Sequence, residues 1–135
     1  MINFHEFWKI TTYIPIIDTP LERSLESIAS NGLQYVEKIK ASIHSIRGVG
    51  EVGDYKEIYE LDFGFEGYRP TVLAAPRYGR PGEEIILGKV AFTTYLAQTC
   101  QEEVLNQLIA AIKLVHPWEH PVIELTEVKL FMPSR

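Results

Sequence analysis

One cysteine, Cys100, is all that the 135 residues contain. An internal disulfide is therefore excluded, nothing asks for an oxidising compartment, and the cytoplasm is the expected location. Basic side chains are scarce too: 13 Lys and Arg stand against 18 Asp and Glu, a formal charge of −5. That balance argues against general nucleic-acid binding, whose affinity comes largely from Lys and Arg neutralising phosphates. Apolar runs are broken by charge or proline, as at Lys9, Pro15 and Lys113, well before the ~20 residues a membrane span needs. Residues 1–8 carry Asn3, His5 and Glu6 in place of a basic stretch and an apolar segment, so no signal peptide is expected. Nor is there a G-x-S-x-G elbow, a Walker loop, an EF-hand loop or a C-x-x-C pair. No catalytic residue and no cofactor are assigned.

Apolar residues make up 46% of the chain, enough for one domain over residues 1–135 that buries roughly two-thirds of its unfolded surface. The apolar pattern divides it into elements. Trp8, Ile10, Ile14 and Ile16 alternate with Lys9, Thr11 and Tyr13, which predicts a first strand over 7–17. Thr19-Pro20-Leu21-Glu22 resembles an N-cap with proline at the first helical position, and predicts an extra N-terminal helix over 20–30 ended by Asn31-Gly32. Val36, Ile39, Ile43 and Ile46 form a second helical stripe before Gly48.

Tyr55, Tyr59, Leu61, Phe63 and Phe65 predict a strand whose opposite face, with Lys56, Glu60 and Asp62, is wet. Residues 67–83 hold three prolines, three glycines and three arginines without sustained periodicity. They predict a long loop or irregular hairpin, and such loops are usually functional or mobile. A near-continuous apolar run over 85–96 suits a central strand. Thr99-Cys100-Gln101-Glu102 then has the spacing of a capping box for a helix striped by Val104, Leu105, Leu108, Ile109, Ile112 and Val115 and stopped by Pro117. The last strand is expected over 122–131. The predicted class is α+β, a βαββαβ (split βαβ, ferredoxin-like) order with helices on one face of an antiparallel sheet.

Four features are candidates for function. Gly48-Val49-Gly50-Glu51-Val52-Gly53 has the dinucleotide-binding spacing. Its glycines, however, follow a helix and precede a strand, so no helix N-terminus faces a phosphate; a helix C-cap and tight turn is the better reading. Arg69, Arg77 and Arg80 of the long loop have the guanidinium chemistry to hold a carboxylate or phosphate bidentately, the bland alternative being a solvated loop or a subunit contact. His116, Glu119 and His120 match an H-x-x-E-H zinc pattern. Pro117 argues against both histidines sharing a helical face, and the competing reading makes Trp118 a core anchor with Pro117 and Pro121 as turn-setters. Cys100, near a helix start, has no identifiable histidine partner and reads as inert.

Beyond these single features, Gly48-Val49-Gly50-Glu51-Val52-Gly53-Asp54-Tyr55 resembles the G-x-G-x-I-G-N-Y signature of the domain inserted in YqfO/YbgI-type, NIF-three-like proteins. The similarity continues through Gly64, Tyr68-Arg69-Pro70, Pro76, Gly79 and Gly82, and resumes at His116-Pro117-Trp118-Glu119-His120-Pro121, which resembles the family's A-H-P-Y-E-E-P ending. It covers roughly residues 36–125. The resemblance implies a PII/CutA-like fold, assembly into trimers or other homo-oligomers, and small-molecule or protein contacts on the loop occupied here by residues 67–83. In such proteins the metal ligands lie in a separate dinuclear core, so neither they nor a hydrolase activity transfer to any residue here. The chain departs from the family in the extra helix over 20–30, in His120, and in Thr93 and Thr94, where the family strand is more acidic. The expected function is a non-enzymatic, homo-oligomeric binding or regulatory module. The alternative is a metal-binding protein or metal-dependent hydrolase using His116, Glu119 and His120.

Overall fold

A computed structural model describes residues 4–16, 33–75, 79–117 and 120–132. The elements run β1 (Phe4–Ile16), α1 (Leu33–Ile43), β2 (Glu60–Tyr68), β3 (Ile85–Ala97), α2 (Glu102–Val115) and β4 (Ile123–Phe131). The strands form one sheet in the order β2-β3-β1-β4, with every neighbouring pair antiparallel. The helix expected over 20–30 lies outside the described residues. No helix among the described residues is long and apolar enough to cross a membrane.

The sheet has two unlike faces because its side chains alternate. Ile10 and Ile14 of β1 and Val90, Phe92 and Leu96 of β3 point to one face, where they are buried with Val36, Ile39 and Ile43 of α1 and Leu108 and Ile112 of α2. Both helices therefore cover this face, as their apolar stripes require. The two threonines on it are satisfied by loop carbonyls: Thr94 Oγ1 donates to Ile58 O (2.8 Å) and Thr12 Oγ1 to Val122 O (3.2 Å). Each bond removes the cost of an unpaired buried hydroxyl and ties a connecting segment to the sheet.

Two expected boundaries are corrected. β2 begins at Glu60, not at Tyr55. Before it, Val52 and Tyr55 exchange both backbone hydrogen bonds in a tight turn, and Glu57 sits at φ 58°, a left-handed conformation that interrupts extended backbone. The capping box does not form either: α2 has Gln101 as N-cap with no side-chain cap hydrogen bond. Glu102 and Glu103 in its first turn supply the favourable interaction with the helix dipole instead. At its other end the prediction is met. His116, held extended at φ −70°, ψ 141°, ends α2, because the ring of Pro117 excludes helical backbone at the preceding residue.

The glycine motif is the turn that joins α1 to β2. Gly48, Gly50 and Gly53 all have positive φ, at 96°, 74° and 59°. Gly50 N donates to Tyr95 O (2.8 Å) and Gly50 O accepts from Ile58 N (3.0 Å), fastening the turn to β3. These glycines are needed for backbone shape, as the C-cap reading expects.

Candidate functional site

The long loop between β2 and β3 is an irregular hairpin closed at its neck. Gly82 N donates to Pro70 O (2.8 Å), and the Arg69 guanidinium donates to the Gly82 carbonyl. Arg69 thus spans the base of the loop, and Arg80 is exposed beyond it; Arg77 lies outside the described residues. The turn from Thr71 to Ala74 carries Val72 and Leu73, 86% and 93% exposed, apolar side chains on a segment where the arginines alone drew notice in the sequence.

His116 is buried, and its Nε2 lies 2.6 Å from Tyr13 O. A carbonyl only accepts, so Nε2–H donates, and this ring nitrogen joins the end of α2 to β1. His120 is exposed, and Glu119 and Trp118 lie outside the described residues. Among the described residues no three His, Cys, Asp or Glu side chains gather as a metal site. Cys100 packs half-buried against the core two residues before α2, with Sγ 3.1 Å from where a Cβ on Gly48 would stand.

Burial lowers the pKa of His116, with the bond to Tyr13 O opposing, and burial also lowers that of His44, helped by Lys40 and opposed by Glu57. His44 Nε2 is buried without a hydrogen-bond partner. Both imidazoles are thus held neutral in the fold, below their ordinary value of 6.5. Because the unfolded chain takes up these protons first, stability is complete above pH 6.5 and falls as pH drops toward the folded-state values. Denaturant midpoints should decline on going from pH 7.5 to about pH 5, and the His44→Gln, His116→Gln double variant should flatten that decline; an unchanged slope would contradict it.

The face of the sheet opposite α1 and α2 has more structure than its sequence pattern suggests. Thr11 and Thr93, directly paired across β1 and β3, are only 9% and 4% exposed, and their hydroxyls lie 2.8 Å apart. Around them Tyr13 donates to Glu124 Oε1 (2.9 Å), and Lys89 Nζ sits 4.3 Å from the Tyr13 ring centroid. The Glu124 bond, then burial, raises the Tyr13 pKa, and burial with the bond to Glu60 pushes Tyr95 up to about 12. Both phenols therefore remain hydrogen-bond donors over the ordinary pH range. Gly64 and Ala91, lacking bulk, leave a depression of about 450 Å³ lined also by Lys9, Asp62 and Thr126. Sequence reading placed Lys9, Thr11 and Tyr13 together on one face of the first strand. It did not separate Thr93, which points here, from Thr94, which points to the core.

No protein-family profile matches the sequence, and no curated protein matches it. Among solved structures, a Bacillus cereus protein related to NIF3 aligns over 96% of this chain and 27% of its own, with a TM-score of 0.63 and 14% identity. Staphylococcus aureus protein SA1388 aligns over 97% of this chain and 25% of its own, with a TM-score of 0.52 and 17% identity. CutA1 from Pyrococcus horikoshii aligns over 90% and 82% at 16% identity, with a TM-score of 0.41. The chain spans about a quarter of the length of the first two proteins. At these identities the likeness is one of fold alone: the chain resembles in fold about a quarter of a NIF3-related protein.

Proposed function

We propose that the protein is a non-enzymatic, homo-oligomeric binding or regulatory module on a ferredoxin-like, PII/CutA-like fold. The observation that carries this is an uncovered apolar strip. Phe63, Phe65 and Ile86 project from the β2–β3 hairpin on the helix-bearing side, yet are 51%, 51% and 50% exposed. The strip belongs to one edge of the sheet, and a different exposed apolar side chain, Leu125, belongs to β4 at the opposite edge. Unlike patches at opposite edges favour head-to-tail contacts, which close into rings when the rotation permits. A trimer is the assembly proposed, with the cytoplasm as its compartment and the loop bearing Arg69, Arg77 and Arg80 as its contact with small molecules or protein partners.

Native mass spectrometry of the untagged chain tests this directly. A closed oligomer, trimeric on this reading, is expected, and the Phe63→Ser, Phe65→Ser double variant should dissociate it to monomers while retaining the fold by circular dichroism. A wild-type chain that stays monomeric at micromolar concentration would end the proposal.

A further inference from the structure

The geometry points to the tip of the β2–β3 loop as a contact for the surface of an anionic lipid bilayer, its aliphatic run entering the headgroup layer and its arginines meeting lipid phosphates and carboxylates. This goes beyond the small-molecule and protein contacts proposed for the loop above and depends on neither them nor the assembly. A contact of this kind lies on the membrane and needs no spanning segment.

Val72, Leu73, Ala74 and Ala75 are four consecutive apolar residues, all exposed. Single exposed apolar side chains are ordinary, but a run of this length works against solubility unless something uses it. Ala74 N donates to Thr71 O (3.0 Å), which makes Val72 and Leu73 the central residues of a tight turn. At 86% and 93% exposure their side chains project from the surface rather than lining a cleft. The turn is presented on a held base. Gly82 N donates to Pro70 O across the neck, and Arg69 donates to the Gly82 carbonyl. On the returning limb Ile85 lies directly against Gly79, where an added Cβ would overlap Ile85 Cδ1. Less of the loop therefore has to be ordered when its tip docks.

Charge selects the partner. Between Glu66 and Glu83 the sequence holds Arg69, Arg77 and Arg80 and no Asp or Glu, in a chain whose net charge is −5. Arg69 and Arg80 are exposed, and Arg77 lies outside the described residues. Glu66, Glu83 and Glu84 come on the sheet side of the neck in the chain. Small-molecule sites are concave, which a projecting tip is not. A nucleic-acid backbone would take the arginines and leave the aliphatic run in water. An anionic bilayer takes both: each cation near its surface adds to the attraction, and its interface accepts diverging side chains without a matching pocket.

Flotation of the full chain with vesicles tests this, using equal parts of phosphatidylserine and phosphatidylcholine against phosphatidylcholine alone. The chain is expected to float with the mixed vesicles at low salt, not with phosphatidylcholine alone, and to be released as salt screens the attraction. Val72→Ser with Leu73→Ser, and separately Arg80→Gln, change exposed side chains and should keep the circular dichroism of the unaltered chain. The first should weaken binding by about tenfold or more and the second by about fivefold. No flotation with the mixed vesicles, equal flotation with phosphatidylcholine alone, or undiminished flotation of the Val72→Ser, Leu73→Ser variant would each overturn the proposal. Retention on immobilised polyglutamate without flotation would assign the tip to an acidic protein surface, and would overturn it too.

Discussion

Replacing Phe92 with alanine should lower stability by about 3–5 kcal/mol, the range for emptying a buried aromatic site. Phe92 is the largest of the fully buried side chains, at 1% exposure, and stands on β3 beneath both helices. Its ring stacks on Tyr59 at 5.6 Å and 6°, and Lys40 Nζ lies 4.5 Å from the centroid of Tyr59. The substitution therefore removes more than transfer energy: it takes away the ring against which Tyr59, and through it the α1–β2 connection, is oriented. Against a typical total of 5–15 kcal/mol, the loss is a large share of what holds a domain of this size together. Urea unfolding followed by circular dichroism would measure it. A loss under about 1 kcal/mol would mean that the helices collapse into the space, and that the packing around β3 is less specific than described.

Gly50→Ala should cost about 2–4 kcal/mol, although it adds a single methyl group. About 1–2 kcal/mol comes from placing a Cβ on left-handed backbone, here at φ 74°. The rest comes from contact, because the new Cβ would stand 3.0 and 3.1 Å from Ile58 N and O, backbone atoms fixed by the bond from Ile58 N to Gly50 O and by the bond from Thr94 to Ile58 O. Gly53→Ala is the internal control. Its Cβ would meet only the flexible Met132 Sδ at 3.8 Å, so the conformational penalty alone, about 1–2 kcal/mol, is expected. Thermal unfolding of both variants measures the difference. If Gly50→Ala matched Gly53→Ala in stability, the contact at Ile58 would not be rigid.

The apolar periodicities of α1 and α2 were legible because each helix has one partner surface and shows it in sequence: Val36, Ile39 and Ile43 on one, Leu108 and Ile112 on the other, all lie in the core. The stop at Pro117 and the turn at Gly48–Gly53 were legible because proline and glycine act on the local backbone, whatever lies around them. β2 was misread at its start because Tyr55 and Tyr59 carry a strand-like spacing while Glu57 takes positive φ between them. Nothing in the identity of a glutamate announces that. Its conformation follows from the pairing of Ile58 with Gly50, a contact that exists only once the turn has closed.

Chain order alone thus carried the α+β class, the order of the described elements and most of the described core, since local propensity and side-chain period are properties of short segments. Which side chains remain uncovered was decided by tertiary structure. Phe63 and Phe65 look like core residues in sequence, yet are half exposed because β2 is an edge strand. Thr11 and Thr93 are 82 positions apart and look like residues of a wet face or a continuous run. Antiparallel register between β1 and β3 sets them side by side over the gap left by Gly64 and Ala91. A juxtaposition of that kind is made by pairing strands distant in the chain, and no window along the sequence contains it.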